Sequence, residues 1–231
     1  MSTADVHAPA PPRISGPWLA ATVAVAAAGP LAIAAVRAIL PYDTTDEPAA
    51  IIADIQAAPT TTAAVIWLVF AALLTLPLGV AITARLAMAA RPVLGTVAAV
   101  VAWAGFLSLF LAVGVDQLAP AAAEAGLTME QTVALDGALT AQPTANLALM
   151  VFLIGHVLGA VLLGIALWGS IPRWAAAALI VSQPLHLVFA VIVPNHALDA
   201  AAWALTAVGF AAAALTSARR GPVTRGSTIE Y

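Results

Sequence analysis

Long apolar stretches free of charge alternate along this chain with short connections that hold nearly all of its acids and bases, and no other feature restricts the fold as much. Between residues 147 and 199 the charged side chains are Arg173, midway, and Asp199, at the end. That pattern predicts a hairpin of two spans, 147–169 and 172–193, turning at Pro172, Arg173 and Trp174. A helix of roughly 20 apolar residues crosses ~30 Å of hydrocarbon, and each arm is long enough.

Applied to the whole chain, the same reading predicts an all-α polytopic membrane protein. A bundle of six transmembrane helices fills residues 17–217, with spans at about 17–40, 62–84, 92–115, 147–169, 172–193 and 198–217. Composition points the same way, since 63% hydrophobic and 8% charged residues leave too little polar surface to clothe a soluble globule. Residues 1–16, rich in Pro and Ala, and residues 218–231 are expected to be tails, the first of them flexible. Arg13 followed by an Ala-rich run has the look of a signal peptide, but the apolar character continues to Leu40, so an uncleaved span is expected. Pro30, next to Gly29, is expected to bend that span.

Two connections are acidic. Residues 41–62 carry Asp43, Asp46, Glu47 and Asp54 with no base, and Pro48 followed by Ile51, Ile52 and Ile55 on one face predicts a short helix. Residues 116–144 carry Asp116, Glu124, Glu130 and Asp136, and Thr128 with Gln131 has capping-box spacing for a helix over 129–139. Both are expected to be short external surface helices. Arg13, Arg85, Arg91, Arg173, Arg219, Arg220 and Arg225 fall on the opposite side from nine of the eleven carboxylates. The positive-inside bias then places the arginines and both termini in the cytoplasm. Trp18, Trp168 and Trp174 fit the inner interfacial belt, and Trp67 and Trp203 the outer one.

Missing residue types narrow the chemistry. Without cysteine there is no disulfide, thiolate nucleophile or cysteine-held metal, and without lysine no Schiff base. HExxH and GxxxxGK[ST] motifs are absent, no serine sits in a triad-like arrangement, and no basic patch with interleaved aromatics suggests nucleic acid. No catalytic residues are read from the sequence.

Polar groups inside the spans stand out because an unpaired one in hydrocarbon costs several kcal/mol and must turn inward. His156 and His186 lie at similar depth on neighbouring antiparallel spans, with Gln183 one turn before His186. They either bond one another and fix packing, or they form a proton, metal or ligand site. Gly155 and Gly159 make a GxxxG step that lets another helix approach. At the outer rim stand Arg37, Asp116, Asn195, His196 and Asp199, and a salt bridge from Arg37 to Asp116 or Asp199 would satisfy both partners. Together the rim and the histidines would line a polar path from outside to mid-membrane.

The run FLIGHVLGAVLLGIALWGSIPRWAAAALIVSQPLH resembles an uncharacterised bacterial family of integral membrane proteins, in which a Gly/His-containing span is followed by an Ile-Pro-Arg turn and another span. That resemblance implies six spans and a bacterial plasma membrane, assigns no reaction, and matches His156 but not His186 to the family pattern. Taken together, these features predict a small permease or membrane ligand-binding protein with a buried polar site between spans four and five. Its partners would be the bilayer and a small-molecule or ion ligand, with no cofactor. One alternative is a b-type haem electron-transfer protein with His156 and His186 as axial ligands and Arg37 near the propionates. The other is a regulatory or assembly protein without a ligand.

Overall fold

The computed structural model describes residues 16–109 and 114–220. The expected tails 1–16 and 218–231, with Arg13 and Arg225, lie outside the described residues except for Gly16 and residues 218–220. The described chain is helical, with no β-strand among these residues: α1 Gly16–Ile39, α2 Pro48–Ala57, α3 Pro59–Ala90, α4 Pro92–Leu107, α5 Gly114–Glu124, α6 Met129–Thr140, α7 Pro143–Ala166, α8 Arg173–Leu187 and α9 His196–Arg220. A π-helical turn, Val188–Ile192, continues α8.

Five of these, α1, α3, α7, α8 with its π turn, and α9, are long and apolar enough to cross a membrane, which fits an integral membrane protein. α4, expected to run over 92–115, is shorter. It has 16 residues, a length of ~24 Å at ~1.5 Å per residue, and ends at Ser108. A further helix, α5, is described over Gly114–Glu124 and contains Asp116. Asp116 therefore lies within a helix. Among the described residues α2, α5 and α6 are all short, where two short helices were expected. In contrast, α3 outruns its expected limits of 62–84, because Arg85 marks a change of surroundings but is a good helix former, and the stop comes at Arg91 before Pro92.

The six longer apolar helices form a ring in the order α1, α3, α4, α7, α8, α9, closed by α9 against α1, with α3 also touching α7 and α9. Small residues let these backbones meet. A Cβ added at Gly29 of α1 would lie 2.6 Å from the Leu76 amide of α3, and one added at Gly105 of α4 would overlap the backbone of Gly155 and His156. The helix that the GxxxG step admits is α4, with Gly159 against Ala102 and Gly155 against Gly105. Within the ring lie Leu76, Phe106, Leu163, Leu179, Trp203 and Phe210.

α1 and α3 continue unbroken through Pro30 and Pro77. Trp18, Trp67, Trp168 and Trp174 are exposed, but Trp203 is buried. It faces the bundle axis and not an interfacial belt, because its position on α9 is set by packing that depth along the helix does not reveal. At the end of the ring that carries the acidic connections, α2, α5 and α6 pack on one another. Ile52 and Ile55 are buried there with Val36, Leu40, Tyr42 and Val65. α6 starts with the capping box, both Thr128–Gln131 bonds being formed. At the opposite end Arg91 donates to the Ile165 carbonyl at 3.1 Å, placing a cation at the C-terminus of α7.

Candidate functional site

Asp199 is the centre of the polar cluster. It lies in the first turn of α9, fully buried, and its two carboxylate oxygens have different partners. Oδ2 accepts from Nε of Arg37, near the end of α1. Oδ1 lies 2.5 Å from Nδ1 of His186 on α8. Of the two partners the sequence allowed for Arg37, the structure pairs it with Asp199, 162 residues away. Asp116 instead accepts from the Tyr42 hydroxyl at 2.8 Å. Burial pushes the Asp116 carboxyl above its ordinary range, against the lowering effects of the Tyr42 bond and the Arg37 charge. Burial first, and then the Asp116 charge, push the Tyr42 phenol up as well.

Two groups meet Nδ1 of His186. The Trp203 indole N–H lies 3.1 Å from the same Nδ1 that meets Asp199. The carboxylate accepts and the indole N–H donates, so in any one protonation state of the ring only one of these two contacts is a hydrogen bond. Pro184, two residues before His186, supplies no backbone N–H, and the π turn follows directly. Such turns often mark functional positions in helices.

His156 on α7 donates from Nδ1 to the Phe152 carbonyl, and its Nε2 is buried without a partner. The ring stacks on Phe152 at 4.3 Å and lies edge-on to His186, with centroids 5.5 Å apart. The two imidazoles are thus neighbours. Gln183 is not part of this group: its Nε2 donates to Thr206 of α9 at 2.7 Å, and its Oε1 has no partner. Sharing a helix face with His186 was insufficient, because α9 passes closer to that part of α8 than α7 does.

The remaining rim residues serve the end of the bundle. His196 pairs with Asp43 through Nε2 at 2.8 Å, and Asn195 accepts the Leu198 amide at 3.0 Å, capping α9. Thr44 donates to the Ala190 carbonyl in the π turn at 2.7 Å. The connection between α1 and α2 is therefore tied down at Tyr42, Asp43 and Thr44.

Against this cluster lies a cavity of about 350 Å³. Arg37, Tyr42, Asp116, His186 and Trp203 form its polar side, and Ile33, Val69, Leu109, Leu149 and Phe152 are among its apolar walls. Residues expected to form two separate groups, His186 at mid-depth and Arg37 with Asp116 at the rim, share this one space. His156 lies behind Phe152, and Gln183, Asn195, His196 and Asp199 do not line it.

No protein-family model, curated protein or solved structure matches the chain. The resemblance to a bacterial six-helix family stays an expectation from the residues alone, and the geometry carries the functional reading.

Two site residues went unrecognised in the sequence. Tyr42 looked like part of an acidic loop, although an aromatic hydroxyl beside a span end is a usable signal. Trp203 was read as interfacial by depth. A haem held by His156 and His186 finds no support in the geometry, since the rings touch edge to face and Phe152 and Trp203 flank His156. Among the described residues no group of three or more metal-ligating side chains comes together.

Proposed function

We propose that this chain is a plasma-membrane protein that binds a small molecule in the outer half of its helix ring, acting as a small permease or ligand-binding protein. α4 completes six spans, and the arginine side, with both termini, faces the cytoplasm. The positive-inside bias supports that orientation.

The observation that carries the ligand reading is the void beside the buried ions. A cluster that served packing alone would be closed over by side chains, because interiors are close-packed and voids forfeit dispersion contacts. Here His186 and Arg37 face about 350 Å³ of space with apolar walls, at the small end of the roughly 300–1,000 Å³ typical of ligand pockets. Polar groups converging at one side of an apolar chamber orient a ligand, while the walls supply affinity.

Because the native chain has no cysteine, single cysteines report access cleanly. A small membrane-impermeant methanethiosulfonate added outside intact cells is expected to modify Val115→Cys and Ala190→Cys, both on the cavity wall, and to spare Leu163→Cys in the core. Failure of both wall positions to react would remove an outward-facing site.

A further inference from the structure

We propose that the cavity accepts a small organic ammonium ion with an apolar body, in exchange for a proton. This rests on the ligand-binding reading above and adds the chemical class of the ligand.

Charge balance is the first argument. The charged or titratable groups that face the cavity or lie directly behind it are Arg37 from α1, Tyr42 from the α1–α2 connection, Asp116 from α5, His156 from α7, His186 from α8 and Asp199 from α9. α3 contributes apolar Val69, and Leu109, just beyond α4, is apolar too. One guanidinium set against two carboxylates leaves one negative charge when the imidazoles and the phenol are neutral. An uncompensated buried charge is costly, so the cluster favours a cation in the cavity or a proton in its place.

The hydrogen-bond inventory agrees. Arg37 gives its Nε–H to Asp199, and the Tyr42 hydroxyl is given to Asp116 Oδ1. Besides the guanidinium of Arg37, the lining includes Asp116 and His186, side chains that bring acceptor atoms. An ammonium brings up to three donors and no acceptor. Trp203 also lines the cavity, and indole rings attract cations. A carboxylate ligand would raise the negative charge of the cluster to two.

Exchange follows from the same balance. With no ammonium present, a proton on Asp116 neutralises the cluster. Ammonium binding then displaces it, and the net charge is zero before and after.

The test is isothermal titration calorimetry on the full chain in detergent with three probes of similar shape: 2-phenylethylammonium, 2-phenylethanol and 3-phenylpropionate. The ammonium ion is expected to bind saturably, at least about tenfold more tightly than the alcohol, with the carboxylate not binding. Titrations in buffers of different ionisation enthalpy should show about one proton released per ammonium bound. Asp116→Asn should weaken the ammonium by about tenfold and leave the alcohol unchanged. Equal or better binding of the carboxylate or alcohol, or no proton release, would overturn this inference and leave a ligand site standing. Absence of saturable binding by all three would overturn the ligand-site reading together with it. The comparison among probes uses the native chain, so it does not depend on the variant folding.

Discussion

Asp199 shows at the scale of one residue why a buried ion cannot be judged alone. Removing it strands Arg37, whose side chain is 10% exposed, without a counter-charge. Asp199→Ala is therefore expected to cost about 3–5 kcal/mol in unfolding measurements, and an Arg37→Met, Asp199→Leu double variant to recover most of that loss. A double variant no more stable than the single would show that the pair does more than balance charge. Tyr42 supplies a second prediction. Its folded-state ionisation lies above the ordinary value of about 10, so the stability contributed by the neutral phenol is intact below that pH and lost as pH rises through the folded value. The chain has 2 tyrosines, so Tyr231→Phe leaves Tyr42 alone. Its absorbance at about 295 nm should then stay flat through pH ~11, and a phenolate signal near pH ~10 would contradict the burial. The proximity of His156 and His186 was legible as a depth along two antiparallel helices. Their bonding partners were not, because each depends on which neighbouring helix faces them.

Among the helices, close approach and backbone freedom can be separated by glycine substitutions. At Gly105 the neighbouring α7 backbone leaves no room for a methyl group, whereas Gly137 of α6 has nothing within 4 Å. Gly105→Ala is expected to lose about 1–3 kcal/mol by overpacking, and Gly137→Ala to gain about 0.4–1 kcal/mol by restricting the unfolded chain. Denaturation of both variants in one detergent would check the contrast, and equal effects would argue against the α4–α7 contact. Helix positions were largely readable, since Pro48, Thr128 and Pro92 mark starts through local chemistry. The end of α4 at Ser108 was hidden, because the apolar run over 92–115 gives no stop signal in hydropathy.

For the whole molecule, the proposed orientation places α2, α5 and α6 outside and the α3–α4 corner inside. Single cysteines at Asp54 and Glu124 are expected to react with an impermeant maleimide on intact cells, and Ala89→Cys only after permeabilisation. The reverse pattern would invert the topology and place the cavity on the cytoplasmic side. Membrane residence, helical class and the segregation of arginines from carboxylates were determined by the sequence itself, since hydrophobicity and charge add up along the chain without reference to partners. Only the tertiary structure decided that Arg37 meets Asp199 and not Asp116, that Gln183 turns to Thr206, that Trp203 enters the core, and that a cavity remains between His186 and Tyr42. Each of these depends on the angular setting of one helix against another far away in the chain, which packing fixes and periodicity along a single apolar helix leaves open.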